Sequence, residues 1–401
     1  MGLIATCKLS FLAVILILIS HITEAQVSSR NLEKAFEDSN LPSVVFGTVD
    51  KDGSMEFLSF GSAVWGEEAN VGKDNIHRIA SMSKAITSVA AMQLVEQGII
   101  GLDDPLNDLM PEMVSIPILT AKGELISSNS PITLRHLLTH TSGFGYGFIE
   151  KRLQNFNREN WTHEDYPRMS EPGEIWRYGT STDWAGKVVE KLSGKDLETY
   201  FRDHITGPLN MNSTWFNVPE NLQDKIVSYG QKSQQGLNEF PRIPARTVKS
   251  YSGGGGLFSS PEDYLKFIHC VLKEGKHEEG QILKPETIKL LFESQLPDNL
   301  YVRINISEDG QLDGKEDESL AENHSLAWAL SKRTASEDPE KRNNTSKKAG
   351  FWSGLYNTHY TIEPKHGFGV VTFLNFLPAG NKDAYELHQL YENSIYSSYD
   401  K

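Results

Sequence analysis

The sequence predicts one α/β (α+β) unit: a mainly antiparallel sheet flanked by helices, with an all-helical part inserted between the N- and C-terminal portions of the sheet. Three observations carry this. Strand-like runs stand near both ends of the chain, helix-period apolar runs fill the middle, and no internal repeat breaks the order. With 401 residues, 38% of them hydrophobic and 10% aromatic, the chain is long and apolar enough to bury a sizeable core.

The elements follow in chain order. Residues 1–25, "MGLIATCKLSFLAVILILISHITEA", combine Lys8, an apolar run from Leu9 to Ile19 and a small-residue exit at Thr23 and Ala25. That is a secretory signal pattern, and the run is shorter than the roughly 20 apolar residues a span needs. Cleavage near Ala25 is expected, leaving a secreted protein with no membrane attachment and a single domain over residues 26–401. "SVVFGTVDKDG" and "MEFLSFGSAVW" read as two strands joined by a turn at Asp52-Gly53. "RIASMSKAITSVAAMQLVEQGII" reads as a helix with almost no polar face, closed by Gly98. The helical subdomain is expected over approximately residues 100–245. "TLRHLLTHTSGF", "TDWAGKVVEKLSGKDLETYFRDHIT" and, further on, "PEDYLKFIHCVLKEG" carry helix-period apolar residues. Residues 297–346 turn polar and charged, interrupted by "HSLAWAL". "AGFWSGLYNTHYTIEP" and "FGVVTFLNF" are strand-like, and a terminal helix follows "PAGNKD".

Composition excludes some functions. The formal net charge of −14 argues against nucleic-acid binding through a basic surface. Of two cysteines, Cys7 lies in the signal, so Cys270 has no partner for an internal disulfide; on an apolar helix it reads as a small buried hydrophobe. Acceptor sequons occur at Asn160, Asn212, Asn305, Asn323, Asn343 and Asn344, four of them in the polar stretch, which favours an exposed, glycosylated surface.

The chemistry-bearing stretch is Ser81-Met82-Ser83-Lys84. Positions i and i+3 share a helix face, so Lys84 lies one turn from the Ser81 hydroxyl. The apolar residues after them, Ile86, Val89, Met92 and Leu94 among them, imply a buried helix, and burial disfavours the charged form of a lysine. A helix N-terminus also offers N–H groups to an oxyanion. An activated serine is one reading. The other has Ser81 as a helix N-cap with Lys84 snorkelling to solvent. The same spacing at Ser398 and Lys401 ends the chain with no helix to hold it.

Two further stretches, "WRYGTSTD" and "GFWSGLYN", decide between these readings. With "RIASMSKAITSVAAMQLVEQG", "LRHLLTHTSGF" and "SGGGGLFSSPEDYLKF", they resemble, in order along nearly the whole mature chain, the serine β-lactamase-like family. That family comprises class C β-lactamases, D-alanyl-D-alanine carboxypeptidases and esterases of the same fold. The resemblance implies a β-lactamase/transpeptidase-like fold and a serine hydrolase acting through an acyl-enzyme, with no cofactor. It implies Ser81 as nucleophile, Lys84 as base and Tyr178 as the group that takes or returns the proton. The backbone N–H groups of Ser81 and Leu355 would form the oxyanion hole. Thr180 and the strand Trp352-Ser353-Gly354 would face the substrate. Two departures matter: Thr180 stands where the lactamases have Asn, and Trp352 where they have Lys. An aromatic residue at the latter position is a feature of the family's esterases. Small neutral esters or amides are therefore the expected substrates; a β-lactamase or D-amino-acid peptidase, and a non-catalytic scaffold on the same fold, are the alternatives.

"SGGGG" lacks the Lys-Ser/Thr of a phosphate-binding loop and reads as a tight strand-to-helix turn. His136 and His140 have metal-site spacing but no accompanying His-Glu-x-x-His, so no metal is expected. No Gly-x-Ser-x-Gly occurs, which excludes an α/β-hydrolase elbow.

Overall fold

The computed structural model describes residues 29–399 apart from 158, 245, 303–320 and 332–347; the signal segment and Asn305, Asn343 and Asn344 lie outside the described residues. A helix α1 over residues 29–39 leads into strands β1 (Ser43–Asp50) and β2 (Met55–Gly61). Five more strands join them late in the chain: β3 (Ala321–His324), β4 (Ala329–Ser331), β5 (Gly350–Gly354), β6 (Thr358–Glu363) and β7 (Phe368–Phe373). The order is β3-β4-β5-β6-β7-β1-β2, with every neighbouring pair antiparallel. The two ends of the chain thus meet in one sheet, where Val45 faces Phe373.

The sheet is buried on both faces, and the period of two along its strands sorts the residues. Val44, Phe46, Phe368 and Val370 pack with Leu32 of α1 and with Leu387, Tyr391 and Tyr396 of the terminal helix α6 (Lys382–Tyr399). Val45, Val49, Val371 and Phe373 pack with Leu265 and Ile268 of α5 (Pro261–Leu272) and with the larger core around helix α2 (Ser83–Glu96). The close approach of α5 depends on Gly369: a Cβ there would lie 2.2 Å from Ile268 Cγ2. Ser260 caps α5 by accepting from the Asp263 N–H. Between β2 and α5 the chain builds α2, the short α3 (Leu134–Leu138) and α4 (Ser181–Ser193). α2 is buried from Ser83 through Leu94, as its lack of a polar face requires.

Three elements depart from the sequence reading. The run at 350–363 is two strands with a turn between them, and "HSLAWAL" supplies parts of the edge strand β3 and of its neighbour β4. Short strands of three or four residues carry too few alternations to be read by period. The helix α1, over residues 29–39, had no sequence signature of its own.

Candidate active site

Ser81 does not open α2 directly. It lies in a 3-10 turn, Ala80–Met82, immediately before the helix. Ala80 holds a left-handed φ of 43°, rare for a residue with a Cβ and typical of strained backbone at functional positions. The turn is pinned from several sides. Ser83 Oγ donates to the Ala80 carbonyl at 2.7 Å and accepts from the Leu257 N–H at 3.1 Å. Tyr264 of α5 donates its hydroxyl to the Met82 carbonyl at 2.9 Å. Neither cap residue of this segment makes a side-chain cap bond, so the N-cap reading of Ser81 does not hold.

Lys84 turns inward and is 3% exposed, which overturns the snorkelling alternative. Its Nζ donates to Ser81 Oγ at 3.2 Å, to the Tyr146 hydroxyl at 3.0 Å and to the Gly254 carbonyl at 2.5 Å. Three oxygens thus surround the buried Nζ, and its hydrogen-bonding positions are filled without a carboxylate. Its Nζ also lies over the Tyr178 ring, 4.7 Å from the centroid.

Tyr146 and Gly254 were missed in the sequence. Burial, with Asp183 and Tyr178 adding to it, holds the Tyr146 hydroxyl well above the usual tyrosine range, so it stays protonated. Gly254 belongs to "SGGGG", which is indeed a turn but contributes a carbonyl to Lys84. Asp183, in the first turn of α4, holds that turn: Oδ1 accepts from Ser252 Oγ at 2.5 Å and from the Gly254 N–H at 3.0 Å. Thr87 Oγ1 donates to the adjacent Gly253 carbonyl at 2.7 Å. A glycine run between a serine and a strand was the available signal; nothing in it points to a particular carbonyl.

The strand β5 closes the site's other side. Gly354 lies so near the Ser81 turn that a Cβ would stand 2.3 Å from the Ile79 carbonyl oxygen, and only glycine fits there. This contact brings the Leu355 backbone beside the turn that carries Ser81, with the Leu355 side chain 37% exposed. Ser353 is half-buried and Thr180, at the start of α4, is 1% exposed.

The resemblance has Trp352 facing the substrate. Trp352 is 8% exposed, and its indole N–H donates to the Tyr178 hydroxyl at 3.3 Å. A cage of rings holds this pair. Tyr178 and Trp352 lie 5.2 Å apart, His140 is 5.1 Å from Tyr178 and stacked on Trp352 at 6.4 Å, and His324 is 5.7 Å from Trp352. Trp176 stacks on Tyr178 at 6.3 Å. Desolvation lowers both histidines: His324 to about 4, and His140 well below the ordinary value, with His324 and Lys84 adding to the effect on His140. Both rings are therefore neutral at physiological pH, and the cage adds no charge beside Lys84.

The other candidates separate from this centre. His136 Nδ1 accepts from the Thr133 N–H in a capping box at α3, while His140 joins the ring cage, so the i, i+4 pair faces two different environments. Among the described residues no group of three or more His, Cys, Asp or Glu could hold a metal ion. Cys270 is buried, and desolvation pushes its thiol up to about 12. Asn160 and Asn212 are exposed; Asn323 is half-buried, its amide oxygen accepting from the Leu296 and His324 N–H groups. No described helix is long and apolar enough to cross a membrane.

Known proteins share this architecture. The chain is 28% identical over 394 residues to the monacolin J acid methylbutanoyltransferase of Aspergillus terreus, covering 92% of this chain and 94% of that one. It is 31% identical over 254 residues to the lovastatin esterase of Penicillium rubens, covering 58% of this chain and 62% of that one. Among solved structures, a mutant of simvastatin synthase from Aspergillus terreus superposes with a TM-score of 0.80 at 27% identity, covering 94% of this chain and 99% of that one. The model of the Beta-lactamase family matches residues 29–392, a span that contains the whole Ser81 centre, and the chain belongs to that family.

Proposed function

We propose that this protein is a serine hydrolase that forms an acyl-enzyme on Ser81 from small neutral esters or amides. The observation that carries the reading is the Lys84 Nζ beside Ser81 Oγ, held by two further oxygens in a buried site. The step requires Lys84 as the neutral amine: the Ser81 hydroxyl then donates across the 3.2 Å contact to the Nζ lone pair and passes its proton there as Oγ attacks the substrate carbonyl. The Ser81 and Leu355 N–H groups stabilise the oxyanion. Tyr178 gives its hydroxyl proton to the departing alcohol or amine and regains one from Lys84, so the proton taken from Ser81 leaves with the product; water then releases the acyl group. An alcohol can replace water in that last step. The similarity to a methylbutanoyltransferase over 92% of the chain favours this second outcome at the same intermediate.

Substrate choice follows from Trp352. The strand position where a lactamase presents an ammonium carries an indole already engaged with Tyr178. Anionic β-lactams and peptide carboxylates lose a charge-assisted bond worth roughly 1.5–3 kcal/mol, and neutral esters do not. The intact Ser81, Lys84 and Tyr178 centre argues against a purely structural scaffold.

The test is covalent labelling by a serine-directed fluorophosphonate together with turnover of short acyl esters. Both are expected in the wild type, and both vanish in Ser81→Ala with the circular dichroism unchanged. Ester hydrolysis by a folded Ser81→Ala protein would sink the mechanism.

The signal pattern at 1–25 supports export, and the exposed Asn160 and Asn212 are suited to carry glycans. Peptide-N-glycosidase treatment of protein from the medium of expressing eukaryotic cells is expected to lower its apparent mass. Retention in the cytosol with no mass change would contradict both proposals.

A further inference from the structure

Phe148 serves no core that the fold displays. It is 49% exposed and joins none of the hydrophobic clusters of the described residues. Its ring stacks on Tyr146, with centroids 4.9 Å apart and planes 21° apart. Tyr146 also stacks on the exposed His163 at 5.5 Å and 10°, and its hydroxyl accepts from Lys84 Nζ at 3.0 Å. Near-parallel rings therefore connect the candidate base to the protein surface, with the exposed Phe148 at the solvent end. Of the charged groups close to it in sequence, Lys151 is exposed and two are committed to the fold. Glu150 pairs with Arg177, and Arg152 donates to the Leu119 and Met169 carbonyls. Beside Lys151, what the surface offers a ligand here is π area.

We propose that Phe148 is a specificity-determining shelf for the alcohol portion of the substrate, selecting neutral esters whose alcohol carries a flat ring system. This rests on the acyl-enzyme reading of Ser81. The alcohol side follows from the chemistry. When the Ser81 Oγ–acyl bond forms and the ester C–O bond breaks, the proton taken from Ser81 ends on the leaving alkoxide. That oxygen must therefore lie toward Lys84 and Tyr178. Tyr146 flanks Lys84, and Phe148 lies on Tyr146, so the remainder of the alcohol extends along the stacked rings. Offset stacking at ring separations near 5 Å is the favoured geometry for a further ring.

The experiment compares kcat/KM for 1-naphthyl acetate and ethyl acetate, which deliver the same acyl group. The naphthyl-to-ethyl ratio is expected to fall about two- to tenfold in Phe148→Ala, as loss of one ring contact predicts. It is expected to stay level or rise in Phe148→Trp, with the Phe148→Ala loss appearing in KM. A second arm measures the Kd of 1-naphthyl acetate on the non-acylating Ser81→Ala protein, with and without Phe148→Ala; binding is expected to weaken by the same factor. An unchanged ratio, or an unchanged Kd in a folded double variant, overturns the shelf. If neither ester is turned over, the acyl-enzyme reading falls, and the Kd comparison still decides the shelf.

Discussion

Lys84 is the residue on which the site turns. Its Nζ has three oxygen partners, and two of them, the Tyr146 hydroxyl and the Gly254 carbonyl, exist to aim it at the third. Tyr146→Phe removes one hydrogen bond to the ammonium that forms as Lys84 takes the proton, worth roughly 1.5–3 kcal/mol. It is expected to lower kcat by about tenfold to a hundredfold in a folded protein. Trp352→Phe keeps a ring in the cage and deletes the N–H that holds the Tyr178 oxygen, so kcat is expected to fall with KM little changed. Steady-state kinetics on the two variants separate the roles: a change confined to KM in Trp352→Phe would make the indole a substrate contact. Ser81, Lys84 and Tyr178 were legible from spacing and resemblance. Tyr146 was not, because it is 62 positions from Lys84 and only the packing of the two segments joins them.

At the scale of elements, the start of α2 is placed by what surrounds it. The 3-10 turn at Ala80–Met82 is held by α5 through Tyr264, by the segment at Leu257 and by the close approach of Gly354 on β5. The glycine turn at 253–256 is held by α4 through Asp183. Asp183→Ala leaves the Gly254 N–H and the Ser252 hydroxyl without that acceptor, a cost of about 1–3 kcal/mol for a buried unsatisfied group. It also frees the carbonyl that orients Lys84. Loss of thermal stability and loss of kcat are expected together; a variant less stable but fully active would show that Gly254 does not position the lysine. The glycines advertised a tight turn in the sequence, but the partner that uses the carbonyl lies 170 positions away.

For the whole molecule, four histidines that desolvation keeps neutral set the response to acid. Desolvation lowers His77 and His324 to about 4 and holds His140 and His359 well below 6.5. Between about pH 6.5 and 4 the unfolded chain binds protons there that the folded protein does not, so stability is complete above 6.5 and falls as pH drops. Each histidine contributes at most about 1.4 kcal/mol per pH unit. The carboxyls of Glu190, Glu198 and Asp263, raised by burial, act in the opposite sense, and the four histidines outnumber them. The urea midpoint is expected to decline from pH 7 to pH 5; a flat or rising midpoint would mean that these rings are protonated in the folded state.

The sequence by itself determined the sheet's two contributing ends, the buried helix and the serine–lysine pair, because these depend on periodicity and on spacings of a few residues. It also carried the family, through motifs in order along the chain. Only the tertiary structure decided which way Lys84 points, which tyrosine holds it and what Trp352 does. Each of those outcomes is a contact between residues far apart in sequence, formed when the middle of the chain packs against a sheet made from its two ends. Local pattern reports a side chain's face on its own element; it cannot report what another element brings to that face.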